Sequence, residues 1–385
     1  MQIPYGRQSI SEADIAAVIR VLKSDFLTQG PAVPAFERSL SGRLGAAHGV
    51  AVQNATCALH IACLALGVGP GDLVWTSPNS FVASANCARY CGADVDFVDI
   101  DPISFNMSVP LLAEKLAAAA KANRLPKVVI PVHFAGQSCD MAEIRRLTDE
   151  YGVHVIEDAS HAVGATYRNG HVGGCEFADI AVFSFHPVKI VTTGEGGMAL
   201  TNDAALAQRM ADLRTHGITR DAARLSRKDE GPWYYEQHML GFNYRMTDLQ
   251  AALGISQLDR LDEWIATRNR LAREYGAALT GLPLTLPRVA ADRMSAFHLY
   301  VIQLNDAANI SRRAFVDGMH AKGIGVNVHY IPIHWQPDFQ ARGFQRGQFP
   351  ASEDYYSRAV SLPMHVGLTE AQFDYVIDAV RGLLQ

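Results

Sequence analysis

The 385 residues exceed the size at which a single hydrophobic core usually stops growing, so the length predicts two unequal domains. Hydrophobic residues make up 49% and charged residues 19% of the chain, which is typical of a globular enzyme and excludes a disordered or fibrous protein. The formal net charge of -5 argues against nucleic acid and anionic membranes as partners, because both bind basic surfaces.

The start of the chain, M-Q-I-P-Y-G-R-Q, lacks the basic and then apolar pattern of a secretion signal, and no apolar stretch would span a bilayer. We therefore expect a cytoplasmic protein that does not enter membranes. The six cysteines include no C-x-x-C pair, which is typical of reduced, packed thiols. We expect no metal site, because Cys87 with Cys91 and His329 with His334 would each lack further ligands.

Short apolar runs alternate with helical patterns between residues 45 and 202. This alternation predicts an α/β domain with a mostly parallel sheet. The segments Ser108 to Ala120 and Met141 to Tyr151 are long enough to be crossover helices of that sheet. The seven predicted strands are G-V-A-V-Q, D-L-V-W-T, V-D-F-V-D, K-V-V-I-P-V, V-H-V-I-E-D, I-A-V-F-S-F and G-M-A-L-T.

The pattern changes in the second part of the chain. Thr247 and Gln250 form a predicted capping box that opens one long helix through Ile265. The alternation beyond it predicts a small α+β domain, so we expect residues 1–245 to form an arm and the large domain, and residues 246–385 the linking helix and small domain. The elements predicted there are the strand H-L-Y-V-I-Q-L, a helix from Ser311, a strand from Gly325 to Tyr330 and a helix from Thr369.

Lys189 follows the predicted strand I-A-V-F-S-F and precedes two threonines and a glycine cluster. A lysine in this place fits a Schiff base, because a desolvated amine stays partly unprotonated and attacks a carbonyl. Glycines nearby allow a ligand to approach the backbone closely. The alternative is a lysine at the end of a strand whose side chain extends to solvent.

Asp158 ends the predicted strand V-H-V-I-E-D, 31 residues before Lys189. Ligands of open α/β sheets bind outside the carboxyl ends of the strands, where both residues are expected. A carboxylate beside the pyridine nitrogen of a pyridoxal ring keeps that nitrogen protonated, which makes the ring an electron sink. Asp158 is alternatively an ordinary cap for the following A-S-H-A segment.

The strand G-V-A-V-Q runs directly into N-A-T-C-A-L, a turn into a helix that begins with small residues. The free amides of Ala55 and Thr56 at such a helix start attract a phosphate, and Ser184 offers a further hydroxyl. Phe81 is placed to cover a cofactor ring. The alternatives are that Asn54 and Thr56 are routine helix caps and that Phe81 is a core residue.

Together these segments resemble the fold-type-I aminotransferases, and specifically the sugar aminotransferases related to DegT and StrS. The resemblance implies an aspartate-aminotransferase-like fold with pyridoxal 5'-phosphate as cofactor. It favours an aminotransferase over a dehydratase, because dehydratases of the family carry histidine in place of the lysine found here at Lys189. The strings that carry the resemblance run from residue 25 to 334 and include D-F-L-T-Q-G-P, N-A-T-x-A-L, S-F-V-A-S-A-N, V-D-I-D, P-V-H-F-A-G, I-E-D-A-S-H-A-x-G, F-S-F-H-P-V-K, R-x-H-G, G-F-N-Y-R-M-T-D-L-Q and V-H-Y-I-P-I-H.

The resemblance also implies roles for individual residues. Lys189 matches the Schiff-base lysine, Asp158 the partner of the pyridine nitrogen, and His161 the residue beside the ring and its phenolic oxygen. Ser184 matches a phosphate ligand. Asn243 matches an asparagine that reaches the phosphate of the partner subunit's cofactor, which implies a homodimer with shared active sites. The substrate contacts implied are Tyr5, Asp25, Phe26, Leu27, Thr28, Asn327, Val328, His329 and Tyr330.

Within the family, the strings Y-G-R-Q-S-I, T-Q-G-P-A-V-P-A-F-E, F-H-P-V-K-I and G-P-W-Y-Y-E-Q are most similar to one branch. That branch moves an amino group from L-glutamate to C4 of a UDP-linked 4-keto-6-deoxy-N-acetylhexosamine in pseudaminic acid biosynthesis, and Arg214 and Arg245 are candidates to bind the glutamate carboxylate. The alternatives are an aminotransferase for another nucleotide-linked keto sugar of the perosamine or aminoarabinose type, a carbon-sulfur lyase, and a non-catalytic regulator that binds the cofactor.

Overall fold

The structure is a computed structural model that describes residues 2–227 and 229–384. Its strands are β1 (His48–Val52), β2 (Leu73–Thr76), β3 (Asp94–Phe97), β4 (Val128–Ile130), β5 (His154–Asp158), β6 (Thr166–Tyr167), β7 (Gly170–His171), β8 (Ile180–Ser184), β9 (Gly197–Thr201), β10 (Ile218–Thr219), β11 (Glu236–Gln237), β12 (Leu284–Thr285), β13 (Arg293–Met294), β14 (Tyr300–Leu304) and β15 (Ala359–Leu362). Its α-helices are α1 (Glu12–Leu22), α2 (Ala32–Leu44), α3 (Ala55–Ala65), α4 (Ala83–Tyr90), α5 (Val109–Lys121), α6 (Met141–Asp149), α7 (Ala204–Arg214), α8 (Asp248–Leu258), α9 (Leu261–Leu279), α10 (Arg312–Ala321), α11 (Pro337–Gln340), α12 (Pro350–Arg358) and α13 (Glu370–Leu384).

Seven strands form the central sheet in the order β1-β9-β8-β5-β4-β2-β3. The pairs from β8 to β3 are parallel, whereas β9 runs antiparallel to both of its neighbours. The mostly parallel sheet and all seven predicted strands are therefore confirmed. Every strand except β9 ends at the same edge, so turns from several parts of the chain meet there.

Helices cover both faces of the sheet. Helices α3, α4 and α7 pack on the face that buries Ile156 and Val182, and helices α2, α5, α6, α8 and α9 pack on the face that buries Val155 and Phe183. Successive side chains of a strand point to opposite faces. Glu157 and Asp158, which are neighbours on β5, therefore project from opposite faces of the sheet.

A second sheet has the order β12-β14-β15 and is antiparallel. Helices α9, α10 and α13 pack against it around Tyr275, Phe315 and Val376, which are fully buried. This part of the chain has the predicted α+β character. We propose the domain boundary between residues 245 and 246, next to the first turn of α8.

Two predictions in this region are wrong. Residues 325–330 do not form a strand, because Asn327 makes only an isolated bridge to Ser361, and the side chains of His329 and Tyr330 contact Ser361 and His161. The predicted single helix is divided into α8 and α9. Arg260 leaves the helical conformation with φ -105° and ψ 3°, and its side chain pairs with Asp14 of α1. The capping box of Thr247 and Gln250 is present as predicted.

All six cysteines are free and buried, as expected for packed thiols. Within residues 2–227 and 229–384, the structure contains no helix that combines the length and the apolar character needed to cross a membrane.

Candidate active site

Lys189 lies in a turn that follows β8. Its backbone N–H donates to the carbonyl of His186 at 2.9 Å, and Phe185 closes the base of the turn by bonding to Gly196 and Thr193. The side chain is half-buried. Burial lowers the pKa of Lys189 to about 8, against the attraction of the Asp158 carboxylate, which raises it. Near pH 8 a large fraction of this amine is therefore neutral, the form that attacks a carbonyl.

Asp158 ends β5 at the same edge and is buried, with 4% of its surface exposed. One carboxylate oxygen, Oδ2, accepts a hydrogen bond from Ser84 Oγ at 2.7 Å, and Oδ1 accepts from the backbone N–H of Ser160 at 3.1 Å. The second bond is the local cap that the sequence allowed as an alternative. The first bond and the charge coupling to Lys189 make Asp158 more than a cap.

Three buried histidines surround the amine. His161 Nε2 lies 3.0 Å from the hydroxyl of Tyr330, and the rings of His161 and His298 are 4.5 Å apart. Burial and the charge of Lys189 hold the pKa of His161 and of His298 well below the usual range, and they lower the pKa of His329 to about 4. At neutral pH these imidazoles are uncharged. In the part of the chain that the structure describes, Nδ1 of His161 and Nδ1 of His298 have no hydrogen-bond partner.

The start of α3 forms a cradle of donors beside this cluster. Asn54 caps the helix by accepting from the backbone N–H of Cys57 at 2.9 Å, which leaves the first amides, those of Ala55 and Thr56, without intrahelical acceptors. A Cβ atom on Gly197 would lie 2.5 Å from the nitrogen of Ala55, so this position requires glycine. Gly197 pairs with Ser184 across β8 and β9. Amides, hydroxyls and a positive helix end therefore converge, which is the donor set that binds phosphate.

Aromatic residues line the other side of the cluster. Phe81 is 58% exposed and its ring centroid lies 6.3 Å from that of Tyr330. The ring of Tyr5 lies 5.6 Å from that of His329. Asn79 joins these segments, because its Oδ1 accepts from the backbone N–H of Tyr330 at 3.3 Å. The core-residue alternative for Phe81 is wrong, since its side chain is mostly exposed.

The remaining predicted site residues are exposed or half-buried. Residues 25–28 are exposed and run beside the start of α8, where the carbonyl of Leu27 accepts from the backbone N–H of Asp248 at 3.0 Å. Asn243 is exposed and its backbone pairs with Thr215. Asn327 is also exposed, Val328 is half-buried, and the amide of Asn327 lies 3.4 Å from His329 Nε2.

Arg214, a candidate for the amino donor's carboxylate, and His334 are engaged in packing. Arg214 donates to Glu37 and, at 2.7 Å, to the carbonyl of Ala51, so its guanidinium is already used inside the protein. His334 is fully buried and its Nε2 lies 2.9 Å from Glu353. We therefore do not assign Arg214 to the carboxylate of an amino donor.

The sequence did not reveal four residues of the cluster: Asn79, Ser80, Ser84 and His298. The two serines are four residues apart on S-F-V-A-S, a spacing that places side chains on one helix face. That spacing was the available signal for them. His298 begins an apolar strand pattern, where a single histidine gives no local sign of its surroundings.

The model of the DegT/DnrJ/EryC1/StrS aminotransferase family matches residues 8–381. The spore coat polysaccharide biosynthesis protein SpsC of Bacillus subtilis is 39% identical over 100% of this chain and 97% of its own length. PseC of Helicobacter pylori, an aminotransferase involved in the biosynthesis of pseudaminic acid, is 30% identical with a TM-score of 0.91, over 100% of this chain and 99% of PseC.

Spr1654 of Streptococcus pneumoniae is similar in structure as well. In its PMP form it is 28% identical with a TM-score of 0.91, over 100% of this chain and 98% of that protein, and its PLP form has a TM-score of 0.90. These similarities confirm the predicted fold-type-I aminotransferase fold. The matching family depends on pyridoxal phosphate.

Proposed function

The chain belongs to the DegT/DnrJ/EryC1/StrS aminotransferase family and is a sugar aminotransferase dependent on pyridoxal phosphate, and from this premise we propose that it aminates C4 of a UDP-linked 4-keto-6-deoxy-N-acetylhexosamine. L-glutamate is the proposed amino donor, and the proposed assembly is a cytoplasmic homodimer. The observation that carries the proposal is the meeting of the Lys189 amine and the buried Asp158 carboxylate at one edge of the sheet. The similarity to PseC over the whole chain supports the choice of substrate.

The residues at this edge fit pyridoxal 5'-phosphate. The buried Nδ1 of His161, which has no partner among the described residues, matches its phenolic oxygen, and Asp158 matches its ring nitrogen. The amides of Ala55 and Thr56 and the hydroxyl of Ser184 match its phosphate. When bound, the cofactor supplies an electron sink that stabilises the carbanion of transamination.

Lys189 has two proposed tasks. Its amine holds the cofactor aldehyde in the resting protein, because the neutral form is abundant near pH 8. Once released, the same amine would move a proton between the two carbon atoms on either side of the transferred nitrogen: from the α-carbon of the amino donor to the cofactor carbon in the first half-reaction, and from that carbon to the sugar carbon in the second. Because burial lowers the pKa of Lys189 to about 8, against the attraction of Asp158, a fraction of the amine is neutral at neutral pH while the rest carries a proton.

Tyr330 sets the tautomer of His161 in this proposal. Burial, Asp158 and Tyr5 raise the pKa of the Tyr330 phenol, so its hydroxyl stays protonated and donates to Nε2 of His161. The imidazole proton then sits on Nδ1, the nitrogen with no partner in the described chain. That proton is available to a phenolic oxygen.

The exposed aromatic side of the cluster is the proposed place of the sugar. Tyr5, His329 and Tyr330 present flat faces and hydroxyl or imidazole groups within one cluster of rings, and Phe81, which lies beside Tyr330, remains the proposed cover of the cofactor ring. Such faces pack against sugar rings while the polar tips form hydrogen bonds. Residues 25–28 and residues 327–328 remain proposed substrate contacts.

A panel of nucleotide keto sugars tests the proposed function. The protein is loaded with pyridoxal phosphate, converted with L-glutamate, and offered UDP-linked 4-keto-6-deoxy-N-acetylhexosamines, a GDP-linked 4-keto-6-deoxyhexose and a UDP-linked 4-ketopentose. We expect amination at C4 of a UDP-linked N-acetylhexosamine, with the position read by NMR. A preference for the GDP-linked sugar or for the pentose contradicts the proposed substrate and favours the perosamine or aminoarabinose type. Cofactor binding without amination of any sugar favours a regulator.

A further inference from the structure

We propose that Ser84 is a positioning residue for Asp158, and that Ser80 fixes the direction of the Ser84 hydroxyl. The proposal rests on the proposed function, since it concerns the carboxylate that faces the ring nitrogen of the cofactor. Ser84 Oγ lies 2.7 Å from Asp158 Oδ2, and Ser80 Oγ lies 2.8 Å from Ser84 Oγ. The exposed fractions of Ser80, Ser84 and Asp158 are 3%, 1% and 4%, so water competes little for these bonds.

The direction of the protons in this row follows from counting hydrogens. An ionised carboxylate only accepts, so Ser84 donates its single hydroxyl hydrogen to Asp158. Ser84 must then accept in its contact with Ser80, and Ser80 must donate. The row therefore runs from Ser80 to Ser84 to Asp158, and each bond polarises the next one.

The position of Ser84 argues against a purely local role. It lies in the first turn of α4, where a serine hydroxyl usually bonds to nearby backbone. Its hydroxyl instead reaches a residue 74 positions away on β5. Its backbone N–H is satisfied separately by the carbonyl of Phe81 at 3.2 Å.

Ser84 and the backbone of Ser160 together fix the plane of the carboxylate. Each oxygen of Asp158 receives one donor from the protein, at 2.7 Å on Oδ2 and 3.1 Å on Oδ1. A carboxylate has about four acceptor positions, so it retains room for the N–H of a ligand. Without Ser84 the group is held at one oxygen only and turns more freely, which weakens its bond to a ring nitrogen.

The test compares two cofactors in two variants. Wild type, Ser84→Ala and Ser84→Cys are titrated with pyridoxal phosphate and with an analogue that carries carbon in place of the ring nitrogen. We expect wild type to prefer pyridoxal phosphate, and both variants to lose roughly tenfold of that preference, because a bond to a charged group is lost or weakened. The cysteine side chain is nearly isosteric with serine, so this variant still allows the measurement if the alanine variant folds poorly. Ser80→Ala should reduce the preference by about twofold.

Ser352→Ala is the matched control. Ser352 is fully buried and its Oγ donates to Asp99 Oδ1 at 2.6 Å, so the substitution removes a bond of the same kind outside the site. We expect it to lower thermal stability and to leave the cofactor preference unchanged. A wild-type preference that persists in both Ser84 variants overturns this inference and leaves the proposed function intact. Wild type that binds both cofactors equally overturns the role of Asp158 in the proposed function, and this inference with it.

Discussion

Glu157 and Asp158 are consecutive acids on β5, and their side chains meet different polar partners on the two faces of the sheet. On one face Glu157 Oε1 lies 2.5 Å from His133 Nε2, and His133 Nδ1 accepts from the backbone N–H of Cys139 at 3.1 Å. Both ring nitrogens of His133 are thus satisfied by the protein. On the other face Asp158 lies beside Lys189 and His161, whose Nδ1 has no partner among the described residues.

The difference separates a structural pair from a binding site. Buried polar groups in folded proteins are nearly always hydrogen-bonded, so a complete acid and imidazole pair needs nothing further. At the edge where the strands end, beside Lys189, a set of buried donors and acceptors that is incomplete among the described residues can be completed by a ligand. The comparison assigns Glu157 to stability and Asp158 to the cofactor, although both are buried acids at the end of one strand.

The largest effect that would test this comparison is the loss of Lys189. Lys189→Ala should abolish the visible absorption of the bound cofactor and lower turnover by about a thousandfold or more, because the nucleophile and proton carrier are one group. Lys115→Ala is the matched control, since burial also lowers the pKa of that lysine, which pairs with Asp96 far from the cofactor. A borohydride-reducible bond to the cofactor in the Lys189 variant would show that another lysine reacts.

The paired substitutions Asp158→Asn and Glu157→Gln test the comparison itself. Each removes one buried negative charge and keeps a hydrogen-bond acceptor. Asp158→Asn should weaken cofactor binding and slow both half-reactions by about a hundredfold, because the ring nitrogen loses its anionic partner. Glu157→Gln should keep these rates and lower the free energy of unfolding by about 1 to 2 kcal/mol. Near-normal single-turnover rates with glutamate in the Asp158 variant would remove its role as ring partner.

The strands show how much of the fold can be predicted from the sequence. The seven strands were predicted correctly, because each is a short run with apolar residues that is bounded by turn residues; most are buried on both faces, whereas the edge strand β3 is partly exposed. The strand at residues 325–330 was predicted wrongly, because V-N-V-H-Y has a strand pattern while its polar side chains bind other segments. A local strand pattern predicts a strand reliably only where the polar side chains of the segment do not bind distant parts of the chain.

The site residues that follow strands could be predicted from the sequence, because the ends of parallel strands meet at one edge of the sheet. Lys189 and Asp158 follow strands, so the edge of the sheet brings them together without further information. The role of His161 came from the resemblance to a family. Ser84 and His298 are separated in the chain from the residues they touch, and their identity as site residues depends on tertiary contacts that no short pattern encodes.

A pH titration tests the electrostatic side of the comparison. Burial lowers the pKa of Lys189 to about 8, so the neutral amine increases as pH rises to that value and is saturated above it. The rate at which the cofactor-free protein captures pyridoxal phosphate should therefore rise about tenfold per pH unit below pH 8 and level off beyond it. In Asp158→Asn the midpoint should fall further, because the attraction that raises the pKa of Lys189 is gone. A rate that climbs steadily to pH 10 would show an ordinary, solvated lysine.

The smallest expected effect is on the binding of the cofactor phosphate. We propose that Asn243 of a second chain donates a hydrogen bond to this phosphate. Its backbone lies near the cradle of its own chain, since Tyr244 accepts from the N–H of Gln53 at 2.9 Å, while its side chain is exposed. Asn243 contacts either the cofactor of its own chain or the cofactor of the partner chain. Mixed dimers distinguish these two arrangements.

Lys189→Ala and Asn243→Ala are unfolded together, refolded and assayed, with each variant alone as the baseline. If Asn243 acts across a two-fold interface, a mixed dimer carries both defects in one site and leaves the other site wild type. Random reassortment makes about half of the dimers mixed, so activity should return to roughly a quarter of wild type. If Asn243 serves its own chain, every site of a mixed dimer has one defect and no activity returns. The assay needs a strongly impaired asparagine variant, so Asn243→Asp replaces Asn243→Ala if the lost hydrogen bond alone has a small effect, because its charge repels the phosphate.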